Sequence, residues 1–255
     1  MKLVVEMKTV LLKLRLLFYR SKQKLVIVTG ADSSHFKSLY QLLDSLDVYE
    51  KNTKTIVFDL GISTKERDVI KKKFPNFELR IFDYTQYPSY FNIKVNAGEY
   101  AWKPVIINDI LNEFKTSVCW LDAGNVVVKP LINLRKIIEI NGFYSPFSKG
   151  NISDWTHSKT LKYLGVSDNK YILKQLNLNG ACVSVNYNEI NSRRVIQKWS
   201  DCAKNKDCIA PKGSSRENHR QDQAVLSTLV YKHLPKIGKK MMYKKLGFKT
   251  HQDID

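Results

Sequence analysis

Asp122 stands where an apolar run stops. The stretch Ser117 to Val128, SVCWLDAGNVVV, reads as a fully buried strand over Val118, Cys119, Trp120 and Leu121 that ends at this carboxylate. A small-residue turn follows, Ala123-Gly124-Asn125, and then a second β-branched run, Val126 to Val128. A charge at the mouth of an apolar strand is costly to bury alone, so it takes a partner, water or a metal. In open α/β sheets the crevice beyond the carboxyl ends of the strands is where ligands bind. The same spacing also suits a carboxylate that merely caps its turn. Lys103, in EYAWKP, opens a helix, and helix N-termini suit anions. Asn179-Gly180 interrupts another apolar run, and APKGSSRENHRQDQ gathers Lys212, Arg216, His219 and Arg220 ahead of Asp222-Gln223.

The elements that must position these residues alternate. Leu25–Thr29, Thr55–Leu60 and Phe77–Phe82 read as short buried strands. Helical periods over Phe36–Val48 and from Ser63 to about Phe74 separate them, the second opened by a Ser63/Glu66 capping box and stopped by Pro75. This alternation predicts a parallel sheet with helices on both faces. An aromatic, turn-rich loop spans 83–98, and a helix over Val105–Phe114, with Pro104 in its first turn, leads into the Asp122 strand. Beyond it we expect a helix over 131–140, a short strand over 142–146 and a helix over 158–164. A strand over Leu178–Asn186, whose Gly180 and Ala181 allow close approach, precedes helices over 189–203 and 221–231.

At 255 residues with 43% hydrophobic and 11% aromatic content, the chain is globular and long enough for one sizeable α/β domain. The net charge of +18 is concentrated at the ends. Residues 1–24 carry seven Lys/Arg against Glu6 alone, and residues 231–252 carry seven Lys and no acid. The expected organisation is a basic apolar N-terminal helix (1–24), one domain (25–232) and a basic C-terminal tail (233–255). Lys8, Lys13 and Arg15 interrupt the first segment, so a membrane-spanning helix is not expected there. Basic ends suit peripheral contact with an anionic membrane. Cys119 and Cys182 read as core residues, whereas Cys202 and Cys208 flank a loop and pair only in an oxidising compartment.

VIVTGADSS has the outline of a dinucleotide-binding opening, but Gly30 is its one glycine, and that route needs several. The order of blocks points elsewhere: VTGAD, AWKP, WLDAGN, LNGACVSVN and HRQDQAVLS. This series resembles the nucleotide-sugar glycosyltransferases of the GT-A fold. It is similar to the family-8 type, within a group carrying the WLDAGN and DQAVL blocks, over about residues 25–232. The resemblance implies a GT-A-like single α/β domain, a mostly parallel central sheet flanked by helices, with a basic C-terminal extension. It also implies transfer of a sugar from a nucleotide-diphosphate-sugar to an acceptor hydroxyl.

Carried over by position, Thr29, Gly30, Ala31 and Asp32 would meet the nucleotide, with Lys103, Asp122, Ala123, Gly124, Arg216 and Arg220 also binding the donor. Asp222, Gln223 and Asn179 would lie at the reacting sugar. Asp122 matches the first Asp of the family's Asp-x-Asp motif, which binds Mn²⁺ or Mg²⁺, but Gly124 replaces the second. One carboxylate is a thin set for a hard cation; Asn125 and His219 are the other candidate ligands. Without a metal, the load would fall on Lys103, Lys212, Arg216, His219 and Arg220, with APKGSSRENHRQDQ as a mobile loop closing over the diphosphate. Retention and inversion of the anomeric centre both stay open. Trp155 and His157 either face the acceptor or, for Trp155, pack in the core.

The expected partners are a nucleotide-sugar donor and a glycan or lipid-linked acceptor in cell-surface glycan synthesis, with the enzyme cytoplasmic, at the membrane surface. A nucleotidyltransferase is a second reading. A non-catalytic basic module binding nucleic acid is a third; the C-terminal lysines have few aromatics among them, so nucleic acid is not an expected partner.

Overall fold

The computed structural model describes residues 21, 23–235, 237 and 246–255. The helix expected over 1–24 lies outside the described residues, apart from 21, 23 and 24. The strands are β1 (Leu25–Ala31), β2 (Lys54–Asp59), β3 (Glu78–Ile81), β4 (Ser117–Leu121), β5 (Val126–Val127), β6 (Phe143–Tyr144), β7 (Phe147–Asn151), β8 (Leu176–Leu178), β9 (Cys182–Val185) and β10 (Phe248–Lys249). The helices are α1 (Phe36–Tyr49), α2 (Thr64–Lys73), α3 (Trp102–Phe114), α4 (Ile132–Asn141), α5 (Ile152–Trp155), α6 (Ser158–Tyr163), α7 (Lys170–Leu173), α8 (Ile190–Ala203), α9 (Lys206–Ile209) and α10 (Gln221–His233).

One six-stranded sheet runs in the order β3-β2-β1-β4-β9-β6. The strands β3, β2, β1 and β4 pair in parallel, while β9 is antiparallel to both β4 and β6. The period-two alternation of buried strands divides the core. Val26, Val28, Val118 and Trp120 face the layer containing α3, α8 and α10. Leu25, Ile27, Cys119 and Leu121 face α1 and α4. Burying each such Val, Leu or Ile side chain contributes roughly 1.5–3 kcal/mol, so both faces hold the sheet rigid. The Ser63/Glu66 capping box opens α2 as its sequence predicts.

This topology places the site. Parallel register Val28↔Trp120 brings the carboxyl ends of β1 and β4 together. Antiparallel register Leu121↔Cys182 brings the residues just before β9 to that same end. The strand expected over 178–186 is in fact two. β8 pairs with β7 in a separate small sheet, β9 joins the main one, and Asn179–Ala181 turn between them. The reason is local: the Asn179 amide N–H donates to Pro146 O at 2.6 Å, while its Oδ1 accepts from Ala181 N at 2.9 Å.

The basic tail also holds more than its weak patterning predicts. β10 pairs antiparallel with β5, Phe248 against Val127. The residues after it run back across the carboxyl end of β4.

Candidate active site at the end of the fourth strand

Lys103 is the hub. It lies in the first turn of α3, only 3% exposed, with Nζ 2.9 Å from Asp122 Oδ1 and 3.3 Å from Asp222 Oδ2. It also donates to Gly180 O at 3.3 Å and faces the rings of Tyr100, Trp102 and Trp120 at 5.6, 5.8 and 5.8 Å. Burial alone pushes an ammonium toward neutrality, but the carboxylates of Asp122 and Asp222 outweigh it and hold Lys103 above the usual lysine range. The position at a helix start suggests a lysine facing an anionic ligand. The structure turns it inward instead, as the clamp between two carboxylates.

Asp122 is the accessible member, its side chain 36% exposed just beyond the end of β4. Its Oδ1 also accepts the Trp120 indole N–H at 2.5 Å. Below it, Asn125 donates Nδ2 to Ala181 O at 2.6 Å, locking the turn 122–125 to the start of β9 and leaving its own Oδ1 buried without a hydrogen bond. Asp222 is the buried member. Desolvation raises its pKa, and Lys103 opposes the rise. Gly180 permits this packing, because a Cβ there would sit 3.2 Å from Asp222 Oδ2 and 3.7 Å from Lys103 Nζ. Gln223 is half-buried beside it. Asp122 and Asp222, from the end of β4 and the start of α10, therefore meet at one ammonium.

A strained segment frames the mouth. Asn96, Ala97, Gly98, Glu99 and Tyr100 take φ of 48°, 53°, 61°, 50° and 53°, a left-handed turn that costs roughly 1–2 kcal/mol for each non-glycine residue. The Trp102 indole N–H donating to Ala97 O at 3.1 Å offsets part of this. The turn places the Tyr100 ring against Lys103 and 5.7 Å from the Arg216 guanidinium, and lets Glu99 accept from Gln221 Nε2 at 3.3 Å. Gln221 is itself at φ 35°. Strain of this kind collects where geometry is functional.

The segment 211–220 is pinned at one end. His219 is fully buried, with Nε2 2.8 Å from Ile209 O and Nδ1 accepting from the His157 amide at 3.2 Å. Burial drives its pKa down to about 4. Both ring nitrogens are taken by backbone, so His219 is not available as a metal ligand and is an anchor for the loop. Arg220 lies 4.2 Å above the Trp155 ring, so Trp155 is a half-buried platform for an arginine.

At the end of β1, Thr29 is buried with Oγ1 unpaired. Gly30 meets the neighbouring strand: a Cβ there would lie 2.9 Å from Phe58 O, so its smallness serves sheet packing. Asp32 accepts from Ser34 N at 3.1 Å and caps the short turn into α1. Ala31 and Ala123 are both buried.

The sequence reading missed the tail. His251 Nε2 accepts from Asn179 Nδ2 at 2.9 Å, Gln252 N donates to Gly124 O at 2.7 Å, and the Asp253 carboxylate occupies the space a side chain at Gly124 would take. A signal was present, since Asp253 and Asp255 are the only acids after Asp222. Among the described residues no three Asp, Glu, His or Cys groups gather into a metal cage.

This arrangement is a GT-A-like glycosyltransferase fold: a mostly parallel sheet flanked by helices, with acidic residues at the carboxyl end of β4. The galactosyltransferase LgtC, solved with donor and acceptor sugar analogs, superposes with a TM-score of 0.53 at 15% identity, over 89% of this chain and 86% of its own. Core-mannan synthase A (CmsA/Ktr4) from Aspergillus fumigatus, in a Mn/GDP form, gives 0.54 at 7% identity, over 82% of this chain and 70% of its own. The bifunctional glycosyltransferase WbbM gives 0.52 at 14% identity, over 83% of this chain but 38% of its own, so the chain spans well under half of that protein. A family model described as a protein of unknown function (DUF1647) matches residues 1–108. No curated protein matches the chain by sequence.

Proposed function

We propose that the protein is a glycosyltransferase of the family-8 type, moving a sugar from a nucleoside diphosphate to an acceptor hydroxyl. The observation that carries this is the Lys103–Asp122–Asp222 cluster, with Gly180 packed against it, at the strand ends of a GT-A-like fold. Asp122, just beyond the end of β4, binds the donor. Asp222 and Gln223 lie beneath the donor sugar, where a buried carboxylate held by an ammonium orients hydroxyls with little reorganisation. Lys103 fixes both carboxylates and so sets the distance between donor and sugar subsites. Arg216 and Arg220, stacked on Tyr100 and Trp155, are the positive groups beside the leaving diphosphate.

A divalent ion of the Mg²⁺ or Mn²⁺ kind is held in such sites through one or two carboxylates together with substrate phosphates. Asp122 offers a hard oxygen beyond the end of β4, and the unpaired Asn125 Oδ1 lies beneath the same turn, so the residues fit an ion shared with the donor. Asp122 would hold it, and the ion would offset charge growing on the leaving group.

The acceptor is a glycan or lipid-linked hydroxyl. The basic ends of the sequence support contact with an anionic membrane surface. No described helix is long and apolar enough to cross a membrane. Cys202 and Cys208 are bonded, with Cα atoms 5.3 Å apart. Such bonds persist in oxidising compartments, which favours a secretory or extracellular setting over the cytoplasmic one expected from sequence.

The test is a thermal-shift screen of UDP-, GDP-, CMP- and ADP-sugars with and without Mn²⁺, followed by product analysis with the stabilising donor. Stabilisation by one donor that disappears in Asp122→Ala is expected. Stabilisation that persists in the variant would remove Asp122 from the site.

A further inference from the structure

The C-terminal strap is built into the site. Gly247, at φ 97°, accepts from Val128 N at 2.7 Å and from Lys129 N at 3.1 Å, and β10 then pairs with β5. His251, at φ 55°, turns the chain over the end of β4. Beyond it Gln252 N bonds Gly124 O at 2.7 Å, Ile254 N donates to Ser38 Oγ at 2.9 Å, and Ser38 N donates to Asp255 Oδ1 at 3.2 Å. The strap thus crosses from Gly124, beyond the end of β4, to Ser38 in the first turn of α1. Asp253 is its one side chain set against Gly124, so close that any side chain at 124 would overlap its carboxylate. Gly124 has an ordinary negative-φ backbone, so conformational freedom does not explain the glycine. The space does.

We propose that Asp253 is the second carboxylate of the donor-binding pair, delivered by the strap to the place that Gly124 leaves open at the strand end. This rests on the glycosyltransferase reading. A carboxylate has no direct attraction for a diphosphate; it holds the donor through an oxygen-bound partner, either a donor hydroxyl or a cation shared with the phosphates. Asp122 and Asp253, one from the strand and one from the tail, are the two oxygens for that partner. Asn179, bonded to both Ala181 N and His251 Nε2, holds the strap in register with the sugar side of the site.

The test uses Asp253→Ala, Gly124→Asp and the double variant in the full chain. Affinity for UDP and GDP is read by thermal shift with and without Mn²⁺, and strap closure by hydrogen exchange at 250–255. Asp253→Ala is expected to weaken the preferred nucleotide roughly tenfold. Gly124→Asp should expel the strap and raise its exchange, and the double variant should recover both affinity and protection. An effect that requires Mn²⁺ assigns the partner to a cation, and one that does not assigns it to hydroxyls. Unchanged or tighter binding in Asp253→Ala overturns the proposal. If the wild type binds no nucleotide, the glycosyltransferase reading falls; the pairing of 124 with 253 then stands or falls on whether the double variant restores protection.

Discussion

Asp122 and Asp222, from separate halves of the sequence, share one ammonium: Lys103 Nζ lies 2.9 Å from the first and 3.3 Å from the second. Removing one partner of a buried ion pair leaves an uncompensated charge, which costs far more than the pair contributes.

Lys103→Met is therefore expected to lose about 3–5 kcal/mol of stability at neutral pH, read as a shift in the urea midpoint. Adding Asp222→Asn should recover part of that loss, because the stranded buried charge disappears. A Lys103→Met variant as stable as the wild type would show that the clamp holds nothing.

Asp122→Asn keeps the shape of the side chain and an acceptor for the Trp120 indole. Lys103 keeps Asp222 as its counter-charge, so the fold should survive with a loss of about 1–2 kcal/mol, while on the proposed function sugar transfer falls on the order of a hundredfold. Circular dichroism and turnover measured on the same sample separate the two effects.

His219 makes acid stability a readout of the loop anchor. Burial lowers its folded pKa to about 4 from an ordinary 6.5, against the lifting effect of the Ile209 carbonyl. The unfolded chain therefore takes the proton first as pH falls. The stability from the neutral imidazole is full above about 6.5 and is lost as pH drops toward 4, on the order of 3 kcal/mol. Urea midpoints across that window should fall less steeply in His219→Gln. Parallel slopes would mean that another group carries the acid sensitivity.

The bond between Cys202 and Cys208 closes a short loop joining α8 to α9, with a sequence separation of 6. Cross-links of this length contribute about 2 kcal/mol. Dithiothreitol should lower the melting temperature of the wild type and leave Cys202→Ser unmoved. Ile209, just beyond the bond, accepts from His219, so reduction should also raise hydrogen exchange in 211–220.

Much of the fold is legible because the strands are unambiguous. Leu25–Thr29, Thr55–Leu60 and Val118–Leu121 are apolar, β-branched and separated by capped amphipathic helices, which leaves a parallel sheet as the natural arrangement. Asp122 is legible for the same reason, as a charge at an apolar strand's end. The inward turn of Lys103 is not, because a lysine at a helix start has the same sequence signature whether it faces water or two carboxylates. Gly30 misleads in the opposite way: its missing side chain serves the contact with Phe58, which no local pattern reveals. His219 reads as a metal ligand until the backbone groups of Ile209 and His157 are seen on both its nitrogens. Asp253 escapes because its meaning depends on a pairing between β5 and β10, far apart in sequence and only two residues long.

The strap also ties the site to a contact between distant parts of the sequence. Strands β1 to β4 lie within residues 25–121, whereas the residues facing Gly124, 252 and 253, come far later in the sequence. On the proposed reading, a nascent or clipped chain lacking them carries a finished sheet and an unfinished donor pocket. Turnover then depends on whether the strap is seated, and not on the sheet alone.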